Sequence, residues 1–166
     1  RLVQSPTLPV VPLLTAAGYI LAEGGASKRL VRLARALVGW VAPDLQLYRE
    51  LTALENLRFF AQVRGLRPGE RELEALLEEV GLGGRGGDLL AAYSSGMAQR
   101  LRYAYALLHR PPVLLLDEPT AALDERGAAL VEQVVQRQRA RGIVVIATND
   151  PRELRYGDYV LRLSTS

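Results

Sequence analysis

Val113-Leu-Leu-Leu-Asp117-Glu118-Pro-Thr-Ala-Ala-Leu123-Asp124 sets four apolar residues directly against two adjacent carboxylates and a proline. Four consecutive apolar residues suit a strand covered on both faces, and Pro119, which has no amide hydrogen to donate, ends regular pairing. The carboxylates therefore stand at the carboxyl end of the strand, where open α/β sheets bind ligands. One can partner Mg²⁺ while the other orients a water. Taken alone, the pattern also fits a structural turn.

Helix and strand signals alternate outward from this stretch. Downstream, Gly127 to Ala140 carries Leu130, Val134 and Val135 on one helical face, and strands are expected at Ile143 to Ala147 and Tyr159 to Leu163. Upstream, Val38-Gly39-Trp40-Val41 reads as a strand that turns at Ala42-Pro43-Asp44. Thr52-Ala-Leu-Glu55 is a capping box opening a helix through Leu57, Phe60 and Ala61 to the neighbourhood of Gly65. Leu73, Leu76, Leu77 and Val80 share one face of a second helix over Glu70 to Val80, with Gly81 suited to the left-handed C-terminal position. A third helix follows Gly96. These three suggest a helical insert over residues 52–108 within one α/β domain, 1–166, whose core is 1–51 and 109–166, with a mainly parallel sheet.

Composition narrows the function classes. The chain has 166 residues, 49% hydrophobic, enough for one globular core. Its 21 basic and 18 acidic residues are interspersed at net charge +3, which lends no support to a nucleic-acid partner. No apolar run reaches the ~18 residues that span a bilayer, so membrane association must come through partners. The absence of cysteine excludes disulfides and thiolate metal sites and suits a cytosolic location. His109, the single histidine, reads as a structural residue at a helix end, where partial positive charge is favourable.

Tyr93-Ser94-Ser95-Gly96-Met97-Ala98-Gln99-Arg100 resembles the signature motif of ATP-binding cassette (ABC) ATPases, in the Tyr-Ser-x-Gly-Met form of many exporters. Asp117-Glu118 is similar to the family's Walker B pair, Ala121 to Asp124 to its D-loop, and Ile143 to Asp150 to the strand and switch segment. The resemblance implies a P-loop NTPase-like (RecA-like) core with an inserted α-helical subdomain. It also implies ATP and Mg²⁺ as cofactors, and a head-to-tail homo- or heterodimer with another nucleotide-binding domain. A separate transmembrane permease subunit would hold the chain on the inner, cytoplasmic face of the membrane. Tyr48 to Leu57 resembles the segment on which the permease docks.

The same resemblance assigns roles. Glu118 would orient the attacking water, Asp117 would hold Mg²⁺ through water, and Asn149 would stand at the position of the switch histidine. Ser94, Ser95, Gly96 and Gln99 would face nucleotide held by the partner, and Asp124 would communicate across the dimer. Backbone amides at a helix start suit an anion, and glycine permits close approach. Ser94 and Asp124 are equally good helix caps, so both readings stay open for them.

Three departures stand against the resemblance. No Gly-x-x-x-x-Gly-Lys-Ser/Thr occurs in the chain, and Gly24-Gly25-Ala26-Ser27-Lys28, with serine before lysine, reads as an ordinary turn. A strand, phosphate loop and helix are expected before Thr15 but need ~30 residues, so a missing segment is expected between Gln4 and Thr15. A start at Arg1 and a single methionine, Met97, agree with that expectation. Pro43 occupies the place of the Q-loop glutamine, with Gln46 three residues on, and Asn149 cannot titrate as a histidine would. A degenerate, non-hydrolysing cassette serving as a structural or regulatory partner is the alternative.

Overall fold

The computed structural model describes residues 37–41, 45–121 and 123–162. Gly18, the Gly24 to Lys28 turn, Pro43 and the segment before Thr15 all lie outside the described residues. Three parallel strands, β1 (Val38–Val41), β2 (Val113–Asp117) and β3 (Ile143–Ala147), form a sheet in the order β1-β2-β3. The register pairs Val41 with Leu116 and Asp117 with Ala147. Four helices accompany them among the described residues: α1 (Ala53–Val63), α2 (Glu70–Glu79), α3 (Ser95–Leu107) and α4 (Glu125–Arg139).

Local chemistry explains the helix ends. Thr52 accepts from the Glu55 amide at 3.2 Å while Glu55 accepts from the Thr52 amide at 2.8 Å, satisfying two amides that the first turn of α1 leaves over. After α1 and α2 the chain reverses through Gly65 (φ 76°) and Gly81 (φ 69°), a backbone region that other L-residues enter only with strain. Ser94 caps α3 and Asp124 caps α4, accepting from Met97 N at 3.2 Å and Gly127 N at 2.8 Å.

Alternation along the strands sorts the sheet into two unlike faces. Val41, Leu114 and Leu116 are fully buried beside α3 and α4, with Val144 and Ile146 packed at the margin of the same core. Gly39 lies so close to α3 that an added Cβ would stand 2.4 Å from the Ala106 carbonyl oxygen. On the opposite face Trp40, Ile143 and Val145 are exposed and Val113 and Leu115 half-buried. The expectation of a central strand covered on both faces therefore holds for one face among the described residues. The strand expected at Tyr159 to Leu163 is corrected over its described part: residues 159–162 pair with no strand among the described residues, Tyr159, Val160 and Leu161 are exposed, and Leu163 lies outside the described residues.

His109 differs from its expected state. It follows α3 and faces Arg64, whose Nη1 lies 2.7 Å from Nδ1 of the imidazole, while the Arg64 guanidinium sits over the Tyr105 ring. Burial first, and the Arg64 charge second, pull its pKa down to about 4, outweighing any help from the helix end. Between pH 6.5 and about 4 the unfolded chain takes up a proton that the folded chain refuses, so this contribution to stability is full above pH 6.5 and fades as pH falls toward 4. Replacing His109 with Gln should flatten the loss of melting temperature between pH 6.5 and 5, measured by calorimetry against the parent. An unchanged slope would place the imidazole in solvent.

Candidate functional site

β2 delivers Asp117 and Glu118 to the end of the sheet, and β3 delivers Asn149 beside them. The Glu118 amide donates to the Ala147 carbonyl at 2.9 Å, extending the ladder one residue past β2. Glu118 then adopts φ 46°, left-handed for a residue that is not glycine, at a cost on the order of 1–3 kcal/mol. Its Oε1 accepts twice from Asn149, from the backbone amide at 3.0 Å and from Nδ2 at 3.1 Å. Among the described residues Oε2 carries no hydrogen bond, which leaves it for a water.

The following turn is held at consecutive residues. The Tyr103 hydroxyl, from the buried side of α3, donates to the Pro119 carbonyl at 2.8 Å. Burial, with the Glu153 charge adding to it, pushes that phenol's pKa up, so it stays a proton donor. Thr120 donates its amide at 2.9 Å, and also its hydroxyl, to Oε1 of Glu153, a carboxyl that is only 3% exposed. Glu153 rides on the 3-10 helix Pro151–Tyr156, which begins just past Asn149. Asp150 caps that helix, and the Arg152 guanidinium, 2.6 Å away, holds its carboxyl below the usual carboxylate range.

The signature residues lie elsewhere on the chain. Ser94 and Ser95 are exposed and Gly96 half-buried at the amino end of α3. Gln99 differs from them in burial: it is 4% exposed and its carbonyl oxygen accepts from Arg102 Nη1 at 2.8 Å. Arg100 links the signature helix to the D-loop instead, donating from Nη2 to Asp124 Oδ1 at 3.2 Å. Asp124 thus caps α4 and pairs with Arg100 at once; the Gly127 amide first, then Arg100, keeps its carboxyl below the ordinary value. Its cap reading is realised in the geometry.

Asp117, half-buried at the end of β2, has no ion pair or side-chain hydrogen bond among the described residues. No group of three or more acidic or histidine ligands occurs among them either. One free carboxylate suits Mg²⁺, which usually keeps several waters and leans on substrate phosphates, better than it suits a caged structural metal. Glu153, Thr120 and Tyr103 escape sequence reading. Tyr103 could be found from its position four residues after Gln99 on the buried side of α3, but nothing in Pro151-Arg-Glu-Leu-Arg-Tyr156 marks Glu153 as buried.

This geometry belongs to a known family. The profile of the ABC transporter family matches residues 10–121, and the chain belongs to that family. It is 34% identical over 138 residues to the linearmycin resistance ATP-binding protein LnrL of Bacillus subtilis, covering 82% of this chain and 42% of the relative. It is 41% identical over 138 residues to the macrolide export ATP-binding/permease protein MacB 1/2 of Paracoccus denitrificans, covering 81% of this chain and 20% of that protein. Among solved structures it resembles an ATP-binding cassette captured as a dimer in a post-hydrolysis state with ADP and Pi, with TM-score 0.70, 28% identity, and coverage of 79% of this chain and 60% of the other. The chain spans less than half the length of the two curated relatives. The fold is that of their α/β P-loop domains. No helix among the described residues is long and apolar enough to cross a membrane.

Proposed function

We propose that this chain is part of the ATP-hydrolysing subunit of an ABC exporter, working in a head-to-tail pair with a second nucleotide-binding domain. The observation that carries the reading is the junction of Glu118 and Asn149 at the carboxyl end of β2, where Glu118 is fixed by one oxygen and open at the other. Glu118 draws the proton from the attacking water. Asn149 orients that carboxylate through Oε1 and lies beside the position of the terminal phosphate. Asp117 would hold Mg²⁺ through water, and the ion would supply positive charge where the phosphoryl group is transferred. Ser94, Ser95 and Gly96 present their amides to phosphates held by the partner domain, Gln99 supports the signature helix from within, and Asp124 transmits the partner's state through Arg100.

In this reading residues 52–108, with α1 to α3, form the helical subdomain and meet the permease. Tyr48 and Phe59 are exposed beside one another, rings 5.1 Å apart, and Val63 is exposed on the same helix as Phe59, an apolar surface suited to a docking helix. The permease would keep the chain at the cytoplasmic face of the membrane. A second reading, a cassette that binds a competent partner without hydrolysing ATP, is favoured by the lack of Gly-x-x-x-x-Gly-Lys-Ser/Thr in the sequence.

Mg-ATP titration of the purified subunit by calorimetry, beside its intact mass and its elution with and without ATP, separates the two. Binding with ATP-dependent dimerisation is the expected result. A chain that binds no nucleotide yet pairs with a competent cassette would establish the second reading and remove the catalytic roles of Asp117 and Glu118.

A further inference from the structure

We propose that Glu153 is a positioning residue for the Glu118 carboxylate, acting through Thr120; this rests on the reading of Glu118 as the group that activates water. Glu118 is held in a left-handed conformation, and such a residue persists only where its surroundings over-determine it. The hold is applied residue by residue: Ala147 and Asn149 grip Glu118, the Tyr103 hydroxyl grips Pro119, and Glu153 grips Thr120 through both amide and hydroxyl. Without the Glu153 clasp, the peptide after Pro119 would be free to relax and φ of Glu118 with it.

Stability alone is a poor account of this carboxyl. Glu153 is 3% exposed, has no ion pair among the described residues, and its Oε2 is buried without a hydrogen-bond partner. A buried carboxyl is costly, and an apolar side chain of similar size commonly serves a core as well or better. What an apolar side chain cannot do is accept two hydrogen bonds from the turn. Asn149 and Glu153 also belong to one short segment, so the part that orients the Glu118 carboxylate and the part that fixes its backbone move together. A shift of that segment would loosen both grips at once.

The test uses the full-length subunit carrying Glu153→Ala, Glu153→Gln, Thr120→Val or Glu118→Gln. Glu153→Ala should lower kcat about 10- to 100-fold, the scale of an ångström-sized misplacement, with KM for ATP and ATP affinity within about twofold of the parent. Hydrogen exchange at the Thr120 amide should quicken. Glu153→Gln keeps an acceptor oxygen and should recover most of the rate. In the Glu118→Gln background, Glu153→Ala should cost nothing further, because the group it positions is gone. A residue that only stabilises the fold would lower the melting temperature of every variant and add its loss to that of Glu118→Gln. If Glu153→Ala does not fold, Thr120→Val, which removes only the hydroxyl, carries the same split between kcat and KM. Parental kcat in Glu153→Ala or Thr120→Val, with Glu118→Gln inactive, overturns the proposal alone. Parental turnover in Glu118→Gln overturns the reading of Glu118 and the proposal with it.

Discussion

Replacing Glu118 with Gln should reduce ATP turnover by a factor of about 10² to 10⁴, the span of a positioned proton transfer, while nucleotide affinity stays near that of the parent. The substitution isolates the proton step. Glutamine keeps length and shape, and its carbonyl oxygen can still accept from Asn149 N and Nδ2, which lie 3.0 and 3.1 Å from Oε1 of Glu118. The amide nitrogen that replaces Oε2 donates hydrogen bonds and takes up no proton at neutral pH, so a water there is held but not activated. The left-handed backbone at residue 118 is set by the neighbouring grips and should be unchanged. Single-turnover hydrolysis of Mg-ATP should therefore stall with nucleotide bound, and gel filtration should find a dimer that persists while ATP lasts. A variant that hydrolyses ATP at the parental rate would remove Glu118 from the chemistry.

The site is partly legible in sequence because its skeleton is local. Four apolar residues ending in Asp117-Glu118-Pro119 specify a strand and its stop with no help from distant chain, and β2 ends at Asp117 as that pattern requires. The Thr52 capping box and the glycines after α1 and α2 are equally local. What escapes depends on contacts between distant segments. Glu153 meets Thr120 across 33 positions and Arg64 meets His109 across 45, and no periodicity encodes either pairing. Gln99 shows the same limit: its place in the signature pattern suggests a ligand-facing amide, whereas the helical phase of α3 carries it inward with Tyr103 and Ala106. Tyr159 to Leu161 has strand-like composition, but a strand also needs a neighbour, and composition cannot supply one.

Substitution of Asn149 should divide the clamp on Glu118 into its backbone and side-chain halves. Asn149→Ala leaves the backbone amide bonded to Oε1 and removes the Nδ2 donor, the group that the proposed function sets toward the terminal phosphate. Loss of one aimed donor where charge develops costs about 10²-fold in kcat at comparable sites, and a fall of that order, with little change in KM, is expected here. Asn149→His keeps a donor but introduces a group that titrates near pH 6.5. When that imidazole is protonated it stabilises the Glu118 carboxylate and weakens it as a base; when neutral it only orients it. The rate of the histidine variant should therefore rise with pH through a midpoint above 6.5, because the Glu118 carboxylate favours the charged imidazole, an inflection the asparagine parent lacks because an amide has no proton to lose. Profiles of kcat against pH for parent, Ala and His variants measure both effects. A parental rate in Asn149→Ala would mean that the Nδ2 bond is idle and that the backbone amide alone holds Glu118. A flat profile in Asn149→His would mean that the side chain at 149 does not reach the carboxylate during turnover.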